Sequence, residues 1–286
     1  MILLHVSVVV VVVVVVVCCG RTMFRVAYLQ SFDGKLSPEG ELVASVLTER
    51  GIPFESYPTE HILAHPLHLD GNELVVGDFD WTRNVTSQLG IPLPPPPDYP
   101  PCLSHLLHRN VWESTLGQVE QLLVEQGPDG EGIFIKPKDD GKAFSGLLAS
   151  TGWMEYLLAQ FPRDFPVWCS GVVDMVAEYR VYVVEGVVRA TCFYKGDLDA
   201  DLDHQVIQDA AAVLWASEEG QHLAGCSLDF AVVRNDDGDF VTALIEVNEG
   251  FSLGAYDGVS AEDYTDMLIA RWRVLMAPIT NSSPSA

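Results

Sequence analysis

"LDFAVVRNDDGDFVTALIEVNEG", Leu228–Gly250, consists of two apolar strand-like runs joined by a polar turn at Asn235–Gly238. Asp229 stands at the start of the first run, and Glu246 and Asn248 stand at the end of the second. Antiparallel pairing would bring the three side chains to one end of the ribbon, since residues two apart on a strand face the same side. Carboxylate and amide oxygens suit Mg²⁺ that also binds substrate phosphates. A solvated hairpin end is the alternative, but the surrounding apolar residues favour a metal site.

A second strand-like run, "AEYRVYVVEG", places Glu178, Arg180 and Tyr182 on one face by the same alternation. An arginine in the middle of an apolar strand is rarely left unpaired. Two interpretations stay open from these residues alone. Arg180 forms an ion pair with Glu178, or it binds a planar anion such as phosphate.

A third stretch, "IFIKPKDDGKAFSG", ends an apolar strand in a basic loop. The chain has five lysines, and three of them, Lys136, Lys138 and Lys142, fall within seven positions. A loop that contains glycine beside lysines can approach and cover phosphate groups. The spacing is not that of the G-x-x-x-x-G-K-[ST] phosphate loop. A solvated basic loop is the alternative, but the scarcity of lysine in the chain favours an anion site.

The composition limits the classes of partner. With 40 acidic and 16 basic residues, the formal charge is −24, which repels nucleic acid and anionic lipid. A polyanion must therefore be met by a local cluster of positive charge or arrive with a divalent cation, and we expect no nucleic-acid partner. The six cysteines show no C-x-x-C pairing, so we expect free thiols and a cytoplasmic protein.

The first 22 residues contain ten consecutive valines, Val8–Val17. They lack the basic region and the cleavage site of a signal peptide, although the apolar run is about long enough to span a bilayer. Three interpretations remain: low-complexity translation upstream of a true start at Met23, a membrane anchor, or a signal sequence. We favour the first, so a membrane partner is not expected.

The rest of the chain divides at a proline-rich connector, Ile91–Cys102, with four successive prolines at its centre. Before it, strands and helices alternate from Phe24, which predicts a small α/β domain with a parallel sheet. After it we expect a helical stretch over 103–127, then mostly strands, with a hairpin turn at Glu185–Gly186, and a terminal helix. The predicted segments are 1–22, 23–92 (small domain), 93–277 (large domain) and 278–286 (disordered tail).

Taken in order, "FIKP…GKAFSG", "EYRVYVVEG" followed by "CFYKG", and "LDFAVV…IEVNEGFSLGAYDG" resemble the motifs of the ATP-grasp family of carboxylate–amine ligases. They are most similar to its clade marked by one arginine and two lysines. The resemblance covers about Pro92–Met276. It implies an ATP-grasp fold, in which two α+β lobes clasp the nucleotide, preceded here by the small α/β domain.

The resemblance also implies roles for individual residues. Arg180 and Lys142 would be catalytic, and Asp229, Glu246 and Asn248 would hold Mg²⁺. The flap would run from Gly141 to Gly146, and the adenine would lie against a hinge near Gly171–Asp174. The implied nucleotide-binding residues are Lys136, Lys142, Gly141, Gly146, Val172, Val173, Asp174, Glu178 and Arg180.

The implied activity is an ATP- and Mg²⁺-dependent ligase that joins a carboxylate to an amine through an acylphosphate. Its substrate would be a small molecule or a peptide. The alternatives are a phosphotransferase of the same fold and a nucleotide-binding protein without activity. The region before Pro92 matches no motif, so the substrates are not predicted, and Lys138, Lys195 and Glu249 receive no role.

Overall fold

The structure of the protein, a computed structural model, describes residues 24–282 apart from 128, 129, 131, 140–142 and 236, and it describes only the backbone of 279–282. The predictions for the segment 1–22, for Gly141 and for Lys142 fall outside the described residues. Among the helices of the described ranges, none is both long and apolar enough to cross a membrane.

The first sheet is centred on β1, with β3 and β4 parallel to it and the short β2 antiparallel. This confirms the parallel sheet predicted from the strand–helix alternation. Helix α1 begins after Ser37, whose side chain accepts a hydrogen bond from the Gly40 backbone N–H. The elements are β1 (Val26–Phe32), β2 (Lys35–Leu36), α1 (Pro38–Glu49), β3 (Phe54–Tyr57), α2 (Thr59–Ala64), β4 (Glu73–Val76) and α3 (Phe79–Gln88).

The second sheet is antiparallel in the order β5-β8-β6-β7. The predicted helical stretch over 103–127 is correct for α4 but wrong before it, where a short 3-10 helix and β5 form. Val111 and Trp112 favour a strand, and Thr115 then caps α4 through a reciprocal capping box with Gln118. The elements are the 3-10 helix (Pro101–Leu106), β5 (Val111–Thr115), α4 (Leu116–Gln126), β6 (Ile133–Pro137), β7 (Leu147–Leu148), α5 (Thr151–Leu158) and β8 (Pro166–Gly171).

The third sheet is antiparallel in the order β10-β9-β11-β12. The predicted turn at Glu185–Gly186 is confirmed, with φ of 50° and 77°, the left-handed values of a two-residue hairpin loop. The terminal helix extends to Ser282, past residue 278, where the disordered tail was predicted to begin. Pro278 lies inside this helix and, having no N–H, removes one hydrogen bond from its backbone ladder. The elements are β9 (Asp174–Val184), β10 (Val187–Gly196), α6 (His204–Ala216), α7 (Glu218–Gln221), β11 (Gly225–Arg234), β12 (Phe240–Glu249) and α8 (Ala261–Ser282).

The two faces of the third sheet are covered differently. Val181 and Val183 share a core with α6, whereas Tyr182 and Val184 share one with α8 and the first sheet. The predicted boundary at residue 92 falls between two sheets, but this core is continuous across it. Arg180 lies on the same face as Tyr182, two residues nearer the start of β9.

Two short segments fix the second and third sheets relative to each other. Val172 and Val173 alone join the end of β8 to the start of β9. The connector has no helix or strand over 91–97, and then forms an isolated β-bridge in which the Val247 N–H donates to the Asp98 carbonyl at 2.8 Å. The connector therefore crosses the space between the two sheets.

Candidate active site

A cleft of about 540 Å³ lies between the second and third sheets, beside the connector. The end of β12 forms its floor and β6 one wall. Its polar lining residues are Asp98, Lys136, Ser145, Glu246, Asn248, Glu249 and Ser252.

Lys136 extends from β6 between two carboxylates that belong to other parts of the chain. Its Nζ lies 2.5 Å from Asp98 Oδ1 and 2.6 Å from Glu246 Oε2. Burial acts to lower the pKa of Lys136, but the carboxylates of Glu246 and Asp98 outweigh it and raise the pKa well above its usual value. Lys136 is therefore charged at all physiological pH values.

The two carboxylates respond differently to the same lysine. Burial acts to raise the pKa of Glu246, but Lys136 and then Arg180 outweigh it, and the pKa lies below its usual value. For Asp98, burial is the larger influence and leaves the pKa raised despite Lys136. Glu246 is thus the better stabilised of the two anions.

Arg180 forms a bidentate ion pair with Asp229, which lies opposite it on the neighbouring strand β11. Its Nε and Nη2 donate to the two Asp229 oxygens at 2.8 and 2.7 Å. The guanidinium also lies over the Tyr256 ring, 4.5 Å from the ring centre, and the Asn248 amide donates to Asp229 at 3.0 Å. The sequence left the arginine's partner open between Glu178 and an anion, and the structure pairs it with Asp229.

A β-bulge brings the three predicted metal ligands together. Asp229 pairs with Glu246, but Phe230 pairs with Leu244, so Ile245 is the extra residue. Arg109 holds this bulge, because its guanidinium donates to the Leu244 and Ile245 carbonyls at 2.8 and 2.7 Å. The predicted meeting of Asp229, Glu246 and Asn248 at one end of the hairpin is confirmed.

The other predicted nucleotide-binding residues lie between β6 and β7, on the link between β8 and β9, and on β9. Gly146 packs so tightly on Phe134 that a Cβ there would lie 2.5 Å from the ring. Glu178 pairs with Lys195 at 2.9 Å. Val172 and Val173 form the link between the sheets, and Asp174 begins β9. The functional roles of these residues stay predictions.

A comparison with known families matches residues 106–267, more than half of the chain, to the ATP-grasp domain. The matching model is family 2 of the clade named for one arginine and two lysines. The chain belongs to this family. Its sheets and helices have the ATP-grasp arrangement, which confirms the resemblance predicted from the motifs. No curated protein sequence matches the chain.

Several solved structures share the ATP-grasp fold with this chain at low sequence identity, which establishes the fold alone. The ATP-grasp ligase PsnB, complexed with a phosphomimetic variant of a minimal precursor, Mg and ADP, is 14% identical with a TM-score of 0.51 over 87% of this chain and 99% of that one. D-cycloserine synthetase DcsG is 14% identical with a TM-score of 0.51, over 89% and 99%. D-alanine–D-alanine ligase from Bacillus anthracis complexed with ATP is 12% identical with a TM-score of 0.50, over 91% and 100%.

The ATP-grasp assignment implies a Mg²⁺ ion, and the residues present fit one. Within the described residues no three His, Cys, Asp or Glu side chains form a metal-binding group. Mg²⁺ needs fewer, because it keeps waters and binds through one or two carboxylates and substrate phosphates. Glu246 and Asn248 supply such donors at the cleft. Both oxygens of Asp229 accept from Arg180, so its role as a ligand would require Arg180 to turn away.

The expected cluster of positive charge is not what the described part of the site contains. Lys136 and Arg180 are each paired with carboxylates. Lys138, which the sequence left without a role, pairs with Glu113 of β5 at 2.5 Å and lies over the Trp168 ring, near the surface. The described part of the site therefore consists of ion pairs and is not a basic patch.

Three features of the site were not found from the sequence. Asp98 directly follows the four prolines, and this position was the one feature of the sequence that could have marked it as a site residue. Tyr256 lies within a quoted motif, but its contact with Arg180 depends on the loop after β12. Glu249 forms a buried ion pair with Arg271 of α8, an arginine whose apolar neighbours in the helix marked it as buried.

Proposed function

We propose that the protein is an ATP- and Mg²⁺-dependent ligase that joins a carboxylate to an amine through an acylphosphate. One observation carries this proposal most directly: Lys136 of the second sheet pairs with Glu246 and Arg180 of the third pairs with Asp229, and these two carboxylates lie on directly paired positions of the β11–β12 hairpin. Because the chain belongs to the ATP-grasp family, this arrangement can be interpreted as a nucleotide-binding site.

The nucleotide would extend from the link between the sheets to Lys136. On paired strands β6 and β8, Ile133 lies opposite Gly171 and Lys136 opposite Trp168, so the link and the lysine are three residue pairs apart. That is roughly 10 Å along the strands, a span suited to an adenine at 172–174 and phosphates at Lys136. Glu178 would accept from the ribose, and Gly146 with Lys142 would lie over the phosphates.

Nucleotide binding would exchange the partners of the paired charges. Lys136 and Arg180 would contact phosphate oxygens, while Glu246 and Asn248 would hold Mg²⁺, which neutralises phosphate charge when bound. Each buried carboxylate that loses its lysine or arginine partner would then need another positive partner. The paired charges thus hold the donors in place before the substrate arrives.

In the first step a substrate carboxylate oxygen would attack the γ-phosphorus. The bond to the β–γ bridging oxygen would break, and ADP would leave. Arg180 would stabilise the transferred phosphoryl group, because its charge persists at every working pH. In the second step an amine nitrogen would attack the acyl carbon, the bond to phosphate would break, and the amine would lose a proton to solvent.

The substrates would be a carboxylate and an amine, carried by a small molecule or a peptide. Solved relatives of the fold support both, since PsnB is described with a precursor and DcsG as a D-cycloserine synthetase. The charge of −24 speaks against nucleic acid as the substrate.

Trapping the acylphosphate tests the proposal. We would incubate the protein with ATP, Mg²⁺ and a panel of carboxylates, with hydroxylamine as the amine. ADP and a hydroxamate that appear together would support a ligase. A phosphorylated product that accumulates and is not converted to a hydroxamate by hydroxylamine would indicate a phosphotransferase, and nucleotide binding without turnover on the whole panel would indicate an inactive protein. Either result would overturn the ligase.

A further inference from the structure

Asp98 is an acidic residue of the cleft to which neither the motifs nor the family match assigns a role. It lies outside the matched range 106–267 and on the connector, not on a strand of either lobe. Its side chain is 5% exposed and faces the cleft. Oδ1 contacts Lys136, whereas Oδ2 has no hydrogen-bond partner of ordinary geometry, with the Trp168 indole as its polar neighbour.

The charges around Lys136 do not balance. One ammonium group lies between two carboxylates, those of Asp98 and Glu246, and leaves one negative charge in excess in a buried place. A buried anion without full compensation is unfavourable. A cation with two positive charges would balance the two carboxylates, whereas the single charge of Lys136 does not.

The backbone holds Asp98 where it can share a ligand with β12. The Val247 N–H donates to the Asp98 carbonyl, and Val247 stands between Glu246 and Asn248 in the sequence. Prolines at 97 and 100 restrict the connector on either side. The Asp98 carboxylate is therefore fixed beside the predicted metal ligands before any ligand binds.

We infer that Asp98 and Glu246 together form a divalent-cation site in which the Lys136 ammonium group now stands in for the metal. Both carboxylate oxygens contact the same atom, Lys136 Nζ. The distance between the two oxygens therefore cannot exceed the sum of those two contact distances. Mg²⁺ commonly binds through one or two carboxylates, with waters and phosphates completing its shell. Once Lys136 turns to a phosphate, Asp98 and Glu246 would hold the metal ion in its place.

This inference deepens the proposed function, since the metal would serve the nucleotide, but its test requires no turnover. Mn²⁺ alone would be titrated and followed by loss of the free-ion paramagnetic resonance signal. The unmodified chain would be compared with Asp98→Asn, Lys136→Met and the double variant. Glu113→Gln is the matched control, because it removes a carboxylate from Lys138, a lysine that lies just after β6 and outside the cleft.

We expect Lys136→Met to bind Mn²⁺ more tightly than the unmodified chain, because the competing ammonium group is gone. Asp98→Asn should weaken Mn²⁺ binding about 10- to 100-fold, both alone and in the Lys136→Met background. Glu113→Gln should leave it unchanged. If Asp98 acted only by positioning Lys136, its substitution would have no effect once the lysine is removed.

Equal Mn²⁺ affinity in the unmodified chain and Asp98→Asn overturns the inference, as does the absence of Mn²⁺ binding in all forms. Should Lys136→Met fail to fold, as judged by circular dichroism, the single variant Asp98→Asn decides. A chain that binds Mn²⁺ through Asp98 but forms no hydroxamate would refute the ligase and leave the cation site standing.

Discussion

Lys136 and Arg180 are both buried cations beside carboxylates, yet they are held in different ways. Arg180 meets Asp229 through two parallel hydrogen bonds and lies over the Tyr256 ring, so its plane is fixed. Lys136 is a point charge on a flexible stem between two acids. Arg180 is therefore suited to one defined position, and Lys136 to a change of partner.

We predict that Arg180→Lys lowers kcat/KM for hydroxamate formation by about 10²-fold or more, because lysine keeps the charge but cannot make the paired hydrogen bonds. Arg163→Lys, at a surface pair with Glu120, is the control and should keep full activity. Wild-type kinetics in Arg180→Lys would remove Arg180 from the reaction.

A second prediction concerns the buried thiol of Cys169 in the second sheet. Burial raises the pKa of Cys169 from 9.0 to about 11. Because the pKa of this thiol is raised in the folded state, its contribution to stability is fully present below pH 9, the pKa of the thiol in the unfolded chain. That contribution is lost as pH rises from 9 toward 11, by up to roughly 3 kcal/mol. We expect a steeper fall in the unfolding free energy of the unmodified chain over this range than in Cys169→Ala.

The control for this comparison is Cys102→Ala, which removes a half-buried thiol outside the strands. Its stability should depend on pH as that of the unmodified chain does. Parallel pH profiles for the unmodified chain and Cys169→Ala would contradict the prediction, whatever the constant difference caused by lost packing.

Strand alternation was enough to predict that Glu246 and Asn248 share one face of β12, whereas their position beside Asp229 also depends on the bulge. Arg180, Glu246 and Asn248 lie on the expected faces of their strands. Asp98 could not be predicted, since its contact with Lys136 depends on the path of a segment without regular structure. The partner of Lys138, Glu113, was hidden because the sequence predicted a helix where β5 forms.

At the scale of elements, the bulge of β12 decides which way Glu246 points. A regular pairing from Leu244 onward would shift Glu246 by one residue relative to Asp229 and turn its side chain to the other face. Arg109 keeps the bulge in place from outside the strand, and lies over the Tyr99 ring of the connector. A loop residue thereby fixes the geometry of a strand end.

We predict that Arg109→Ala lowers the free energy of unfolding by on the order of 3 kcal/mol, because two strand carbonyls lose their charged donor. The shift would be measured from urea unfolding midpoints, with Arg163→Ala as the surface control. The Mg²⁺ requirement should also rise, since Glu246 is no longer held. An unchanged midpoint would show that the bulge forms without Arg109.

The same scale shows where sequence patterns fail. The stretch over 103–127 is rich in leucine and glutamine and resembles one helix, but its middle residues pair with β8 instead. Tertiary pairing overrides local propensity there. The hairpins were predicted correctly because their turns carry glycine at positions of positive φ, a local signal.

At the scale of the whole molecule, α8 joins the first sheet to the site. Arg50 of the region after α1 pairs with Asp266 at 2.7 Å, and the Trp272 indole donates to the Glu73 carbonyl at 2.6 Å. Next to Trp272 in the helix, Arg271 pairs with Glu249 at the end of β12. The position of β12 thus depends on a helix that also packs against the first sheet, and no short-range pattern in the sequence contains that relation.

We predict that Arg271→Met destabilises the fold by about 3–5 kcal/mol, because it leaves Glu249 buried without a partner. Adding Glu249→Gln should recover much of the loss, since the second change removes the uncompensated charge. Urea unfolding of the two single variants and the double variant forms a complete mutant cycle. Additive losses in the double variant would show that the pair is not coupled.

The connector has a consequence for how the protein behaves in solution. β12 is the last strand of the third sheet, and such an edge offers unpaired backbone groups to a strand of another molecule. The connector runs beside this edge, but prolines at 94–97, 100 and 101 have no N–H to donate, so the pairing stops at one bridge. The connector therefore covers the edge of β12 without adding a further strand to the sheet. This protects the edge against aggregation and leaves Glu246 and Asn248 accessible to a ligand.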